Sequence, residues 1–141
     1  DAAVEHLTQN AKRHSVGLCA LYVRQAIEAG GCPTFYFPGS ACKYDDFLPD
    51  LGFERVDEEG YVPQKGDIAV FAAAKGHKHG HICMYDGHQW VSDFKQHSMY
   101  VAAIYYSSPH SFWRRPDGGA WRKIHLLQEL LNKCGLRMEN M

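Results

Sequence analysis

Ser15-Val16-Gly17-Leu18-Cys19-Ala20-Leu21-Tyr22-Val23 puts a thiol where a helix is expected to begin. Ser15 is the expected N-cap, because its hydroxyl can accept from the free amides of a first helical turn. Cys19, Val23, Ala26 and Ile27 fall on one helical stripe, and Arg24, Gln25 and Glu28 take the wet side. Gly30-Gly31 stops the helix. Further along, Gly80-His81-Ile82-Cys83-Met84-Tyr85-Asp86-Gly87 reads as a strand entering a tight turn. Residues 81–85 and 89–94 flank Asp86-Gly87-His88 as an expected β-hairpin.

The rest of the chain fits around these two pieces. Residues 1–14 read as a polar, weakly helical arm. Residues 43–51 read as a short helix that Pro49 limits, and residues 53–56 as a short extended piece. A turn over 61–67 leads into a strand at 68–71. Residues 101–106 are β-branched and aromatic, which predicts a strand, and 111–115 are expected to close the sheet. An amphipathic helix over 121–134, within the terminal segment 120–141, ends at Gly135. Helix, antiparallel meander and helix make an α+β pattern.

The 141 residues are 45% hydrophobic, which predicts one domain over 1–141 and a monomer. A net charge of -1 gives no electrostatic drive toward nucleic acid. No apolar run reaches the roughly 18 residues needed to cross a membrane as a helix. A start at Asp1 rather than Met is expected of a processed chain.

The chemistry resides in Cys19 and His81. The thiolate is the nucleophilic form of cysteine, and a helix N-terminus with a nearby histidine is expected to lower the thiol pKa. Gly17 leaves room for a substrate carbonyl, and the Cys19 N–H is expected to face the developing oxyanion. With a three-residue hairpin loop, Tyr85 faces Gln89, Cys83 faces Val91 and His81 faces Asp93, at Cβ separations of roughly 5 Å. Asp93 is then the expected orienting carboxylate, with Gln96 and Ser92 as alternatives. A one-residue change of register breaks that pairing.

Other groupings compete with this one. His77, His79, His81 and Cys83 alternate and are zinc-type ligands. On one strand, however, three such histidines alone span about 13 Å, and Gly76 and Gly80 argue for a loop. No metal or other cofactor is therefore expected. Trp113, Arg114, Arg115, Trp121, Arg122 and Lys123 form a basic-aromatic cluster, read as a solvated face or a contact for an anionic polymer. With Cys19 kept free, Cys32, Cys42, Cys83 and Cys134 can pair in three ways. Among these pairings a local Cys32–Cys42 loop could close without strain, Cys83 reads as a small buried hydrophobe, and an oxidising compartment is expected.

The stretches 17–24, 66–71 and 80–87, in that order, resemble the NlpC/P60 and CHAP superfamily of compact papain-like cysteine hydrolases of bacterial cell walls. Gln89-Trp90-Val91-Ser92-Asp93-Phe94-Lys95-Gln96 is similar to the amidase effectors of type VI secretion, especially their second subfamily, and to the secreted amidase effectors domesticated by ticks. The resemblance implies cleavage of peptidoglycan stem peptides, at the D-alanyl cross-link. It implies Cys19 as nucleophile, His81 as base and Asp93 as third member. It also implies secretion or delivery to a target periplasm, with an immunity protein as partner for a bacterial effector. A non-catalytic wall-binding module and a cysteine hydrolase of protein amides remain as alternatives.

Overall fold

The computed structural model describes residues 1–116. The expected helix over 121–134, Cys134 and the second half of the basic-aromatic cluster lie outside the described residues.

The chain opens with helix α1 (Ala2–Asn10), packed on helix α2 (Cys19–Ala29). The expected polar arm is thus a docked helix. Asp1 caps it by accepting from the N–H groups of Ala3 (2.9 Å) and Val4 (3.4 Å). Val4 and Leu7 are buried, each side chain stabilising by about 1.5–3 kcal/mol. A Cβ on Gly30 would lie 3.0 Å from the Ala3 Cβ, so the missing side chain lets α1 sit close. Residues 41–51 form a broken helix: a 3₁₀ turn Ala41–Lys43, helix α3 (Tyr44–Phe47) and a second 3₁₀ turn Leu48–Leu51 with Pro49 near its start. That irregularity follows from proline's missing N–H.

Five strands follow: β1 (Glu54–Val56), β2 (Ile68–Phe71), β3 (His81–Tyr85), β4 (Trp90–Val91) and β5 (His110–Arg114). They form one antiparallel sheet in the order β1-β5-β2-β3-β4. The strand expected to close the sheet therefore lies inside it. Strand alternation divides the core. Ile68, Val70, Ile82 and Met84 face the helices. Ala69, Phe71 and Cys83 face a second cluster, roofed by Tyr105 and the segment around residues 99–102.

Residues 101–106 are not a strand; Ala103–Ser107 form a 3₁₀ turn. Only Tyr105 points inward, while Ile104 and Tyr106 are exposed. Packing of that one ring overrides the β propensity of its neighbours. Arg114 and Trp113 also leave the solvated face on which they were expected. Arg114 grips the buried Asp67 carboxylate through Nε and Nη2, both at 2.7 Å. The Tyr61 hydroxyl (2.7 Å) and Gln64 N–H (2.9 Å) complete the set. This network ties the approach to β2 onto β5, and Arg114, itself partly exposed, supplies the counter-charge to the buried Asp67.

Candidate active site

Cys19 is the first residue of α2, half-buried and packed against β3. The turn before it is organised by Asp93, a fully buried carboxylate. Asp93 Oδ2 accepts from the N–H groups of Val16 (2.6 Å) and Leu18 (3.2 Å) and from the Ser15 hydroxyl (3.0 Å). Its other oxygen accepts from Ser92 Oγ at 3.2 Å. Ser15 therefore serves this turn rather than capping the helix, and Leu18 occupies the cap position without a side-chain bond. Gly17 supplies the left-handed φ of +76° on which the turn depends.

His81 opens β3, directly after Gly80. Gly80 has φ +67°, and a Cβ there would lie 2.2 Å from the Phe71 carbonyl oxygen and 2.7 Å from the Cys42 Cβ. Only glycine fits between β2 and the 41–43 turn, and that fit sets where β3 begins. The His81 ring is buried near Phe71 and Tyr105, with centroids at 6.3 and 6.2 Å. Its Nε2 lies 2.7 Å from Gln96 Oε1. The Gln96 amide nitrogen donates to Ser98 O (2.9 Å) and Met99 O (3.4 Å), which turns the amide oxygen toward the ring. Nε2 then carries the hydrogen and Nδ1 the lone pair.

Asp93 does not face His81 across the hairpin. The pairing is Tyr85 with Trp90 and Met84 with Val91, one residue away from the expected register. Asp86 Oδ1 accepts from the N–H groups of His88 and Gln89, both at 2.7 Å, and the Asp86 N–H donates to Gln89 O. The loop consequently takes four residues. The chain then bends back, with the Gln96 N–H on Trp90 O at 3.0 Å, and this brings Gln96 to the imidazole. Asp93 instead acts on the Cys19 and His81 side chains through its charge.

Electrostatics set the resting protonation. Burial raises the Cys19 thiol above its ordinary 9.0, and the Asp93 charge adds to this. The N–H groups of Ile82, Ala20 and Cys19 itself oppose the rise without cancelling it. The expected lowering by the helix N-terminus is therefore outweighed. Burial also holds His81 below 6.5, against the opposing effects of Gln96 and Asp93. Both groups rest neutral near pH 7. Burial pushes Asp93 upward, but its four donors more than offset this and keep it below 3.8 and charged.

The other candidate groupings separate. His79 Nδ1 bonds Ser40 Oγ at 2.6 Å, the His77 ring lies against Tyr105, and Cys83 is buried. Among the described residues no three His, Cys, Asp or Glu side chains converge as metal ligands. Cys19, Cys32, Cys42 and Cys83 are all free thiols, so the local Cys32–Cys42 loop that the sequence allowed is open. Cys32 lies in the hydrophobic core, and burial pushes its thiol up to about 12. Sequence reasoning had no signal for the anchoring of the Ser15–Leu18 turn by Asp93, because those contacts span more than seventy residues.

No protein-family model matches the chain, and no curated protein matches it. Two solved structures do. One is the type VI native effector–immunity complex Tae3–Tai3 from Ralstonia pickettii, 39% identical, covering 81% of this chain and 96% of that one, with a TM-score of 0.74. The other is the selenomethionine form of the same complex, 39% identical, covering 79% and 97%, with a TM-score of 0.72. At that identity and coverage, the chain belongs to the type VI secretion effector family represented by Tae3.

Proposed function

We propose that this chain is an antibacterial peptidoglycan amidase that cleaves stem-peptide amide bonds through Cys19 and His81, on a papain-like frame of the NlpC/P60 kind. The supporting observation is the shared anchoring of the two groups. Asp93 holds the turn that delivers Cys19, and Gln96 holds His81 with Nδ1 unprotonated. The Cys19 sulfur sits beside the N–H of Ile82, the residue after His81.

In this mechanism His81 Nδ1 takes the Cys19 proton as sulfur attacks the amide carbonyl, so a neutral pair becomes an ion pair only during attack. Asp93 and Gln96 favour the imidazolium that forms. The N–H groups at the start of α2, which no side chain caps, are donors for the oxyanion. Collapse of the tetrahedral intermediate breaks the C–N bond, and His81 returns the proton to the leaving amine. Water, deprotonated by His81, then hydrolyses the thioester and restores Cys19. The bond proposed is the D-alanyl–diamino acid cross-link. One domain over 1–141, acting as a monomer in a target periplasm and countered by an immunity protein, completes the reading.

Digestion of cross-linked sacculi, with fragments read by chromatography and mass spectrometry, tests the assignment. Loss of cross-linked dimers with matching gain of monomers is expected; trimmed stems without dimer loss would move the scissile bond. The burial-raised thiol is the one observation that favours a non-catalytic wall-binding module. That reading predicts bound sacculi and an unchanged fragment profile.

A further inference from the structure

Tyr105 is 1% exposed, and its hydroxyl has no hydrogen-bond partner among the described residues. A buried phenol ordinarily has one, and leaving it unpaired costs stability that a phenylalanine in the same place would not. The ring itself is well packed, with centroids 5.2 Å from Phe71, 5.2 Å from His77 and 6.2 Å from His81. Only the hydroxyl lacks a match.

Its surroundings are those of the proposed active site. The ring lies beside His81, the proposed base, and the hydroxyl is within electrostatic range of the Cys19 sulfur without bonding to it. Burial, then the Cys19 and Cys42 sulfurs, push the hydroxyl up to about 12, so it stays a donor wherever His81 is a neutral base. Gln96 joins the two sides, holding His81 through Oε1 and, through its amide nitrogen, Ser98 O and Met99 O at the base of the segment that carries Tyr105. Beyond that base the segment is loosely tied. Among the described residues, the hydrogen bonds of residues 102–107 run only within 102–108: Tyr105 N–H to Ala102 O (3.0 Å), Ser108 N–H to Tyr105 O (3.3 Å) and the Ser108 hydroxyl to Ile104 O (3.1 Å). Packing alone seats this turn on the sheet, so a small lift uncovers the hydroxyl without breaking a polar contact.

We propose that Tyr105 is a substrate-anchoring residue, whose hydroxyl donates to a peptide carbonyl oxygen of the stem bound across Cys19 and His81. The assignment rests on the amidase reading above. No described group of the protein competes for the hydroxyl. A site shielded this completely does not solvate a carboxylate, so the neutral amide oxygen is the matching acceptor. The anchored carbonyl is distinct from the scissile one, which the uncapped N–H groups at the start of α2 receive. The bond is therefore made before attack and kept through it.

The test compares the parent with Tyr105→Phe, which keeps the ring, on a soluble cross-linked muropeptide. KM should rise about tenfold with kcat changed by less than about twofold, because a bond made equally in the bound and transition states acts on binding alone. The melting temperature should stay or rise, since the variant removes a buried unpaired group. Unchanged KM, or a fall in kcat at unchanged KM, would overturn the anchor. So would a melting temperature lower by several degrees, which would mean that the hydroxyl already serves the fold. Calorimetric titration of the same muropeptide into Cys19→Ala and Cys19→Ala/Tyr105→Phe repeats the comparison without turnover. Affinity about tenfold weaker in the double variant is expected, and equal affinities would overturn the anchor. A parent that binds the muropeptide without cleaving it would instead overturn the amidase reading, and the titration would still decide the role of Tyr105.

Discussion

Gln96→Glu places a carboxylate where an amide oxygen now meets His81 Nε2 at 2.7 Å. The exchange is nearly isosteric, so its effect is electrostatic. A carboxylate at that separation favours the imidazolium and raises a histidine pKa by about one to three units. The starting point is a ring that burial holds below 6.5. His81 acts as base only when neutral, so activity exists above its pKa and is lost as pH falls through it. The acid limb of the kcat/KM profile should therefore move up by about one to three pH units. A second cost arises because the Gln96 amide nitrogen donates to Ser98 O, and a carboxylate oxygen there faces another acceptor. That unmade bond should lower stability by about 1–3 kcal/mol. The assay is amine release from a soluble cross-linked muropeptide across pH, with unfolding followed in parallel. Gln96→Ala removes the acceptor without adding charge. It should slow turnover by roughly tenfold or more, with no upward shift of the limb. A folded Gln96→Glu protein whose acid limb stays in place would refute the assignment of Gln96 to His81 or of His81 as the base.

Alkylation of Cys19 by iodoacetamide should be slow at pH 7 and still rising beyond pH 9, because burial holds the thiol above 9.0; rapid labelling that stays flat into acid would show a preformed thiolate instead. Gly80→Ala drives a Cβ to 2.2 Å from the Phe71 oxygen at a left-handed φ, with an expected loss of about 2–4 kcal/mol and a fall in kcat through His81. Unchanged melting and turnover would contradict that packing account. Asp93→Asn should cost about 1–3 kcal/mol at neutral pH through weakened bonds to the Ser15–Leu18 turn. The native carboxylate titrates below 3.8, so its contribution is present above that value and is lost as pH falls through the depressed pKa. Urea unfolding at neutral and acid pH should show the difference between the two proteins shrinking in acid, and identical stability at pH 7 would sink the idea.

What the sequence disclosed was mostly local. The stripe Val23, Ala26 and Ile27, ended by Gly30-Gly31, marked α2; a turn followed by a short apolar run marked β2, and the run into Asp86-Gly87 marked β3. Cys19 and His81, the proposed catalytic pair, stand at the starts of α2 and β3. Longer-range effects stayed hidden. α1 looked like a polar arm because its burial depends on α2, which a short window does not see. The hairpin slipped by one residue because the Asp86 side chain satisfies two loop N–H groups and extends the turn. That slip moved Asp93 from the imidazole to the cysteine turn and left the imidazole to Gln96. The thiol pKa was misjudged in sign for a similar reason. The helix terminus is visible in sequence, whereas the desolvation that outweighs it comes from distant packing.

The most direct measurement adds the protein and its Cys19→Ala variant to purified cross-linked sacculi and counts new free amino groups, with pelleting to score binding. New amino groups from the parent alone, with both proteins bound to the wall, are the predicted result. Equal release by the two proteins, or none by either despite binding, would contradict catalysis by Cys19.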